Sequence, residues 1–379
     1  MSIAWLLGEY GQRCFGLPRI SGYAVAGFLL GGHQLGFLPT SPGDTLAGLV
    51  DIAFALILFE LGYRINFRWL RANPWIGATS LMESTVTFIA VLTVTRFFSL
   101  DWVSSLLLAS LSISTSPAAV IRVGNDMRAA GQVTERMLHL TAFNCLLAVI
   151  TFKVVLGYWV LDTAGNVFEA IWQGLVVMLV SAGLGALFGV MVPGVLRLAS
   201  EVDRQATVAF ALAVVLLTAL TLALKFSPLV AALTFGLVAR HRRIGLSQAE
   251  RNFGVLGDLL TILLFLYVAA ILDWRHVLDG LTLAAAIIVV RLASKLFGTT
   301  LFARPSGITL RKGLLTGMAM MPLSVFTILM LEQSRSVGIE LLDPLPGIAA
   351  MVLIMELIAP LATRWALILA DEAPTRREI

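Results

Sequence analysis

Prolines interrupt two long apolar segments of this chain, at Pro117 in LLLASLSISTSPAAVIRV and at Pro322 in LLTGMAMMPLSVFTILML. Proline in a helix interior removes a backbone hydrogen bond and clashes with the preceding turn. In hydrocarbon, the groups so freed persist only where they are buried in protein or line a watery cavity. Hydroxyls cluster at both breaks: Ser114, Thr115 and Ser116 precede Pro117, and Ser324 follows Pro322. Such hydroxyls and free carbonyls would suit a dehydrated cation or a small polar solute. They would equally serve to satisfy the unwound backbone. A matched pair of interrupted helices, one in each half of a chain, points to the binding site of a transporter.

Charged side chains inside apolar segments are the second group able to do chemistry, and each costs about 2.5–3.5 kcal/mol at a helix centre on insertion scales. Glu60, in LILFELGYRI, is either a carboxylate serving the breaks or the partner of Arg64 four residues on. Glu83, flanked by Ser80, Ser84 and Thr85, reads as a polar cluster that packs helices or a dimer interface by hydrogen bonds. Glu356, before Pro360, reads as part of a kink paired with Arg364 or with backbone. Asp51 and Asp258 sit where helix caps are expected, and Lys153 reads as a snorkelling side chain. Arg291 and Lys295 are spaced i, i+4 on one helix face. His33, His139, His241 and His276 are scattered, and no nucleophile–base motif or phosphate loop appears. Cys14 and Cys145 suggest neither a disulfide framework nor a metal cluster. An enzyme is not expected, nor a metal or other cofactor.

The elements that must position these residues are membrane spans. Of the 379 residues, 58% are hydrophobic and 13% charged, and mean hydropathy is +0.90. A soluble globular chain carries about 25% charged residues, so the fold class is an all-α polytopic membrane protein. The net charge of +4 sits in short loops between apolar runs, which excludes a nucleic-acid partner and leaves the lipid bilayer. A span needs about 20 apolar residues. Segments near 19–38, 44–63, 74–97, 102–123, 136–161, 168–198, 205–225, 227–240, 253–272, 277–302, 309–331 and 346–370 meet this, and a short one at 2–16 makes about thirteen. No secretory signal is visible at the start, and 371–379 reads as a short cytoplasmic tail without a regulatory domain.

Lys and Arg set the orientation. One set of loops carries Arg64, Arg68 and Arg71, then Arg122, Arg128 and Arg136, then Arg240, Arg242 and Arg243, then Arg304, Arg311 and Lys312; the alternate loops hold few. This places the C-terminus in the cytoplasm and the N-terminus outside. The halves also echo one another: LPRISGYAVAGFLLG resembles FSPLVAALTFGLVAR, and ALILFELG resembles TILLFLYV. Phe59 precedes Pro117 by 58 residues and Phe265 precedes Pro322 by 57. An odd number of spans between copies inverts the second, so repeat one covers about 1–161, a linker helix 168–198 and repeat two 205–370. The whole of 1–370 then forms a single transmembrane domain in which two broken helices cross at the midplane.

The stretches GLPRISGYAVAGFLLG, LFELGYRINFRWLRANP, TSPAAV, AAGQVTERML, RKGLLTGMAMMP and MELIAPLATRWAL together resemble the Kef-type branch of the monovalent cation:proton antiporters, from about Leu6 to Leu369. The resemblance implies a thirteen-helix inverted-repeat fold, a homodimer, and a mobile core that carries an ion by an elevator-like motion. It also implies an Asp-Asp or Asn-Asp pair in the segment after the first break, where cation and proton compete. Register from Gly131 puts that pair at Asn144 and Cys145, so the expected Asp is Cys. Sodium and potassium are hard cations that want oxygen ligands, as calcium and magnesium do. A neutral thiol offers neither charge nor an acid–base switch near neutral pH.

The resemblance further implies that basic residues near Arg291 and Lys295 neutralise the broken-helix ends, with Lys295 able to partner a carboxylate. The leading expectation is a secondary transporter of the inner membrane, exchanging Na⁺ or K⁺ for protons, with Glu60 rather than Cys145 carrying the proton. Two alternatives stand beside it: a transport-dead scaffold or regulatory subunit, and the same fold carrying an anionic or neutral solute.

Overall fold

The computed structural model describes residues 1–38, 44–161, 167–198, 202–242, 253–272, 278, 280–323, 327–328, 330–331 and 347–373. All regular structure among them is helical. In chain order the helices are α1 (Ser2–Phe15), α2 (Arg19–Leu30), α3 (Asp44–Arg64), α4 (Phe67–Ala72), α5 (Trp75–Phe97), α6 (Trp102–Ile113), α7 (Pro117–Asp126) and α8 (Gln132–Leu161). They continue with α9 (Val167–Leu198), α10 (Val202–Ala223), α11 (Pro228–His241), α12 (Gly254–Ala270), α13 (Leu281–Leu301), α14 (Leu310–Ala319) and α15 (Ile348–Leu369). Eight segments among the described residues are long and apolar enough to cross a membrane, counting α6 and α7 with their break as one. The shorter apolar helices are α2, α11 and α12. The apolar run at 19–38 stops being helical at Gly31, so it makes a shorter helix than its composition suggests. The loop helix α4 has no apolar run to announce it.

The helices gather into two compact units, one of Met1–Ser41, Phe67–Leu156 and Phe265–Ile379, the other of Pro42–Asn66 and Gly157–Leu264. In the second unit α11 packs against both α3 and α9. Close approach there depends on absent side chains: a Cβ on Gly236 would lie 2.0 Å from the Phe59 carbonyl oxygen, and one on Gly62 2.1 Å from that of Leu233. Small residues that let backbones touch are how helices associate where lipid tails are as apolar as leucine. Phe59, Phe210, Phe235 and Phe253 fill the space beside this seam, with Phe59 and Phe235 edge to face at 4.8 Å. Arg240 donates to the carbonyls of Tyr63 and Arg64, closing the C-terminal end of α3.

The first unit pairs α5 with α13, α13 with α14, and α15 with α2, α7, α13 and α14. Its α6 starts at a conventional cap, the Asp101 carboxylate accepting from the Ser104 amide at 2.9 Å. Burial pushes that carboxyl upward, but hydrogen bonds from Ser104 and neighbouring amides outweigh it, and its pKa falls below the ordinary aspartate value. A depressed carboxyl stabilises the fold above its unfolded pKa, and the contribution is lost as pH falls through the folded value. We therefore expect Asp101→Ala to cost about 1 kcal/mol, read as a lower melting temperature at neutral pH. The difference from the parent should shrink on acidification; a pH-independent difference would assign the effect to something other than the charged cap.

Candidate functional site

Both prolines mark real interruptions, and the interruption precedes Pro117 rather than centring on it. α6 ends at Ile113, Ser114 and Ser116 are extended, and Pro117 is the first residue of α7. That position suits proline, since its missing N–H is an orphan at a helix start and its φ is already helical. In the second interruption α14 ends at Ala319, and residues 321–323 follow outside regular structure. The two interruptions touch: the Ser116 amide donates to the Pro322 carbonyl at 2.7 Å, and the Thr115 hydroxyl donates to the Met320 carbonyl at 3.3 Å. Two helices thus end against each other with their carbonyls converging, and each end carries partial negative charge.

Arg291, on α13, meets that charge. Its guanidinium donates to the carbonyls of Ser112 at 2.9 Å, Ser114 at 2.6 Å and Met321 at 2.5 Å, so a single side chain ties both breaks. It is 1% exposed. The planar fork of five donors suits three carbonyls spread over two helix ends.

One turn further along α13, Lys295 lies 2.6 Å from a Glu83 carboxylate oxygen, and both side chains are wholly buried. The ammonium also donates to the Thr115 hydroxyl at 3.2 Å and the Ile113 carbonyl at 3.4 Å, which ties the ion pair to the first break. Asn144 on α8 donates to the other Glu83 oxygen at 2.7 Å and accepts from Ser80 at 2.9 Å and Ser84 at 3.3 Å. Thr87 donates to the first oxygen at 3.3 Å. The pair can form because α5 and α13 approach closely at Gly298, where a Cβ would lie 2.6 Å from that of Glu83.

Cys145, 2% exposed, directs its thiol at the Thr115 carbonyl, 3.3 Å away. The Ser114 hydroxyl donates to the Leu111 carbonyl and that of Ser116 accepts from the Ala119 amide, so both serve the local backbone. The fold therefore brings together Asn144, Cys145, Ser114, Thr115, Ser116, Arg291, Lys295, Pro117 and Pro322. Ser324 lies outside the described residues. Glu60 belongs to the second unit, where it pairs with Arg64 at 2.7 Å.

The residue that sequence reasoning placed elsewhere is Glu83. Its signal was present: Ser80, Glu83, Ser84 and Thr87 follow i, i+3, i+4, i+7 spacing, the spacing of one helix face. Arg291 and Lys295 supply two buried cations on the face of another. A buried charge must be paired, which calls for an acid on a neighbouring helix and makes Glu83 one of the candidates beside Glu60 and Glu356.

A family model described as "Sodium/hydrogen exchanger, transmembrane" matches residues 2–369. The chain belongs to the sodium/hydrogen exchanger family. It is thus a multi-pass membrane protein of a transporter family and not of an enzyme class. The fold agrees. Among solved structures, that of the sodium proton antiporter MjNhaP1 from Methanocaldococcus jannaschii at pH 8 superposes with a TM-score of 0.63 at 17% identity, covering 97% of this chain and 94% of that one. A comparison with curated proteins returns no match. The site of this chain sets a thiol at position 145 near a buried Glu–Lys pair.

Proposed function

We propose that this chain is a secondary active transporter of the inner membrane that exchanges Na⁺ or K⁺ for protons, one for one, at the Glu83–Lys295 pair. It works as a homodimer, with its N-terminus outside and its C-terminus in the cytoplasm, as the distribution of Lys and Arg supports. The observation that carries the reading is the 2.6 Å ion pair held against the crossing of two broken helices. Without cation, Glu83 and protonated Lys295 neutralise each other. A dehydrated cation needs that carboxylate and nearby oxygens, which the Thr115 hydroxyl and the Ile113 carbonyl offer. Two cations cannot share one buried carboxylate, so Lys295 releases its proton as the metal ion binds. The net charge of the site is unchanged, and the exchange is electroneutral. Arg291 stays charged throughout, because the carbonyls that it holds belong to the helix ends.

Glu60 has less support as the proton carrier, since its carboxylate already pairs with Arg64 on its own helix. The test is proton flux in proteoliposomes on addition of Na⁺, K⁺ or Li⁺ across pH, with and without an imposed membrane potential. We expect exchange that ignores the potential and keeps its pH profile in Glu60→Gln. A shifted profile in Glu60→Gln with an unchanged one in Glu83→Gln would return the proton to Glu60.

Cys145→Asp extends the same assay. A carboxylate there stands against the Thr115 carbonyl, where it must hold either a proton or a hard cation. We expect the variant to move a second proton per cycle, so its exchange becomes sensitive to membrane potential. Loss of a charged ligand at position 145 favours a second reading, a transport-dead scaffold. Silence in the natural protein with activity in Cys145→Asp would select it.

A further inference from the structure

The first turn of α8 has no cap of its own. Its amides at Val133 and Thr134 would be orphans, and both are satisfied from 238 or more residues away. The Glu372 carboxylate accepts from the Val133 amide at 2.8 Å through one oxygen, and from the Thr134 amide at 2.8 Å and hydroxyl at 2.9 Å through the other. The Glu372 carbonyl accepts from the Ala130 amide at 3.0 Å. Gly131 makes room, since a Cβ there would lie 2.3 Å from the Glu372 carboxyl carbon. The side chain is buried, and Lys312 in the first turn of α14 stands 3.9 Å from it while donating to Gln132 at 3.3 Å. Arg311 donates to the Leu369 carbonyl at 2.7 Å.

One knot therefore joins the start of α8, the start of α14 and the end of α15. Each of these helices leads to the crossing. α8 carries Asn144, about 18 Å further along at 1.5 Å per residue. α14 leads to the Met320 and Met321 carbonyls, just past its end. α15 holds that end as well, through the Thr363 hydroxyl donating to the Ala319 carbonyl at 2.9 Å. We propose that Glu372 is a positioning residue for exchange. It sets the height of α8, and so holds Asn144 where it orients the Glu83 carboxylate toward Lys295. The transport part of this inference rests on the reading of Glu83 and Lys295 above; the placement of α8 does not.

Cys145 is the built-in reporter of α8, and in a Cys14→Ser background it is the single thiol of the chain. Glu372→Gln keeps one acceptor oxygen and turns an amide donor toward a backbone donor. Well below its melting temperature, this variant should label at Cys145 with N-ethylmaleimide at least about fivefold faster, as expected when one cap's worth of local stability is lost. The cation KM should rise by about the same factor, with little change in maximal rate. Thr134→Val, which removes a single hydrogen bond from the same knot, should move both readouts in the same direction by less. It decides the matter if Glu372→Gln does not fold. Unchanged labelling in a folded variant overturns the proposal, even where the melting temperature falls, because the carboxylate is then only a stabilising cap. If the parent shows no exchange, the reading of Glu83 and Lys295 fails on its own, and labelling still decides the role of Glu372.

Discussion

Glu83→Gln should abolish cation-driven proton movement. The carboxylate is the single acid in direct contact with Lys295 among the described residues, and Gln offers a cation an oxygen without a charge. A charge contact at 4 Å in an effective dielectric of 20 is worth about 4 kcal/mol, or about a thousandfold in binding. The variant should also be less stable by about 3–5 kcal/mol, because it strands a buried ammonium. Stability and transport can be separated. In Glu83→Gln with Lys295→Met, no stranded ammonium remains and Arg291 keeps its three carbonyls, so the melting temperature in detergent should recover while proteoliposomes stay inactive. A double variant that still exchanges cation for proton would remove the pair from the transport mechanism. A single variant with parental exchange would do the same.

Arg291→Lys should be the most damaging conservative substitution in the first unit. The guanidinium serves three carbonyls lying in different directions, and an ammonium is a compact point charge without the fork geometry to match them. Leaving two buried carbonyls unpaired costs about 1–3 kcal/mol each, and the positive charge that remains would lack the rigid fork that seats it between the two helix ends. We expect a drop in melting temperature and faster hydrogen exchange at the Ser116 amide, whose bond to the Pro322 carbonyl depends on the two breaks staying in contact. Arg291→Lys that melts and exchanges like the parent would show that the broken ends hold each other unaided. Cation affinity should fall less than stability, since Arg291 touches the backbone of the site and not the Glu83–Lys295 pair.

Much of this is legible in the sequence. The apolar run 74–97 became α5 nearly to the residue, and 136–161 lies within α8, which starts earlier at Gln132, because every backbone group in hydrocarbon must be satisfied within its own segment. The breaks were legible for the same reason, since proline and a string of hydroxyls do not continue a helix. Spacing also put Arg291 and Lys295 on one face of α13. Spacing reports which face a residue occupies and says nothing about what that face meets. Glu83 therefore read as a packing residue until α13 was laid against α5 at Gly298. Similarly, Glu372 read as part of a short tail until it was found on the amides of α8.

By itself, then, the chain determined its long apolar helices, its two interruptions and the chemical inventory available to a site. The local hydrogen-bonding demands of a backbone in an apolar medium decide all of these. Only the tertiary structure decided which acid faces which base. Lys295 meets Glu83 from 212 residues away and Thr115 from 180, and pairs so distant are set by how closely two helices pack. A missing side chain at Gly298 is what allows that approach, and with it the ion pair.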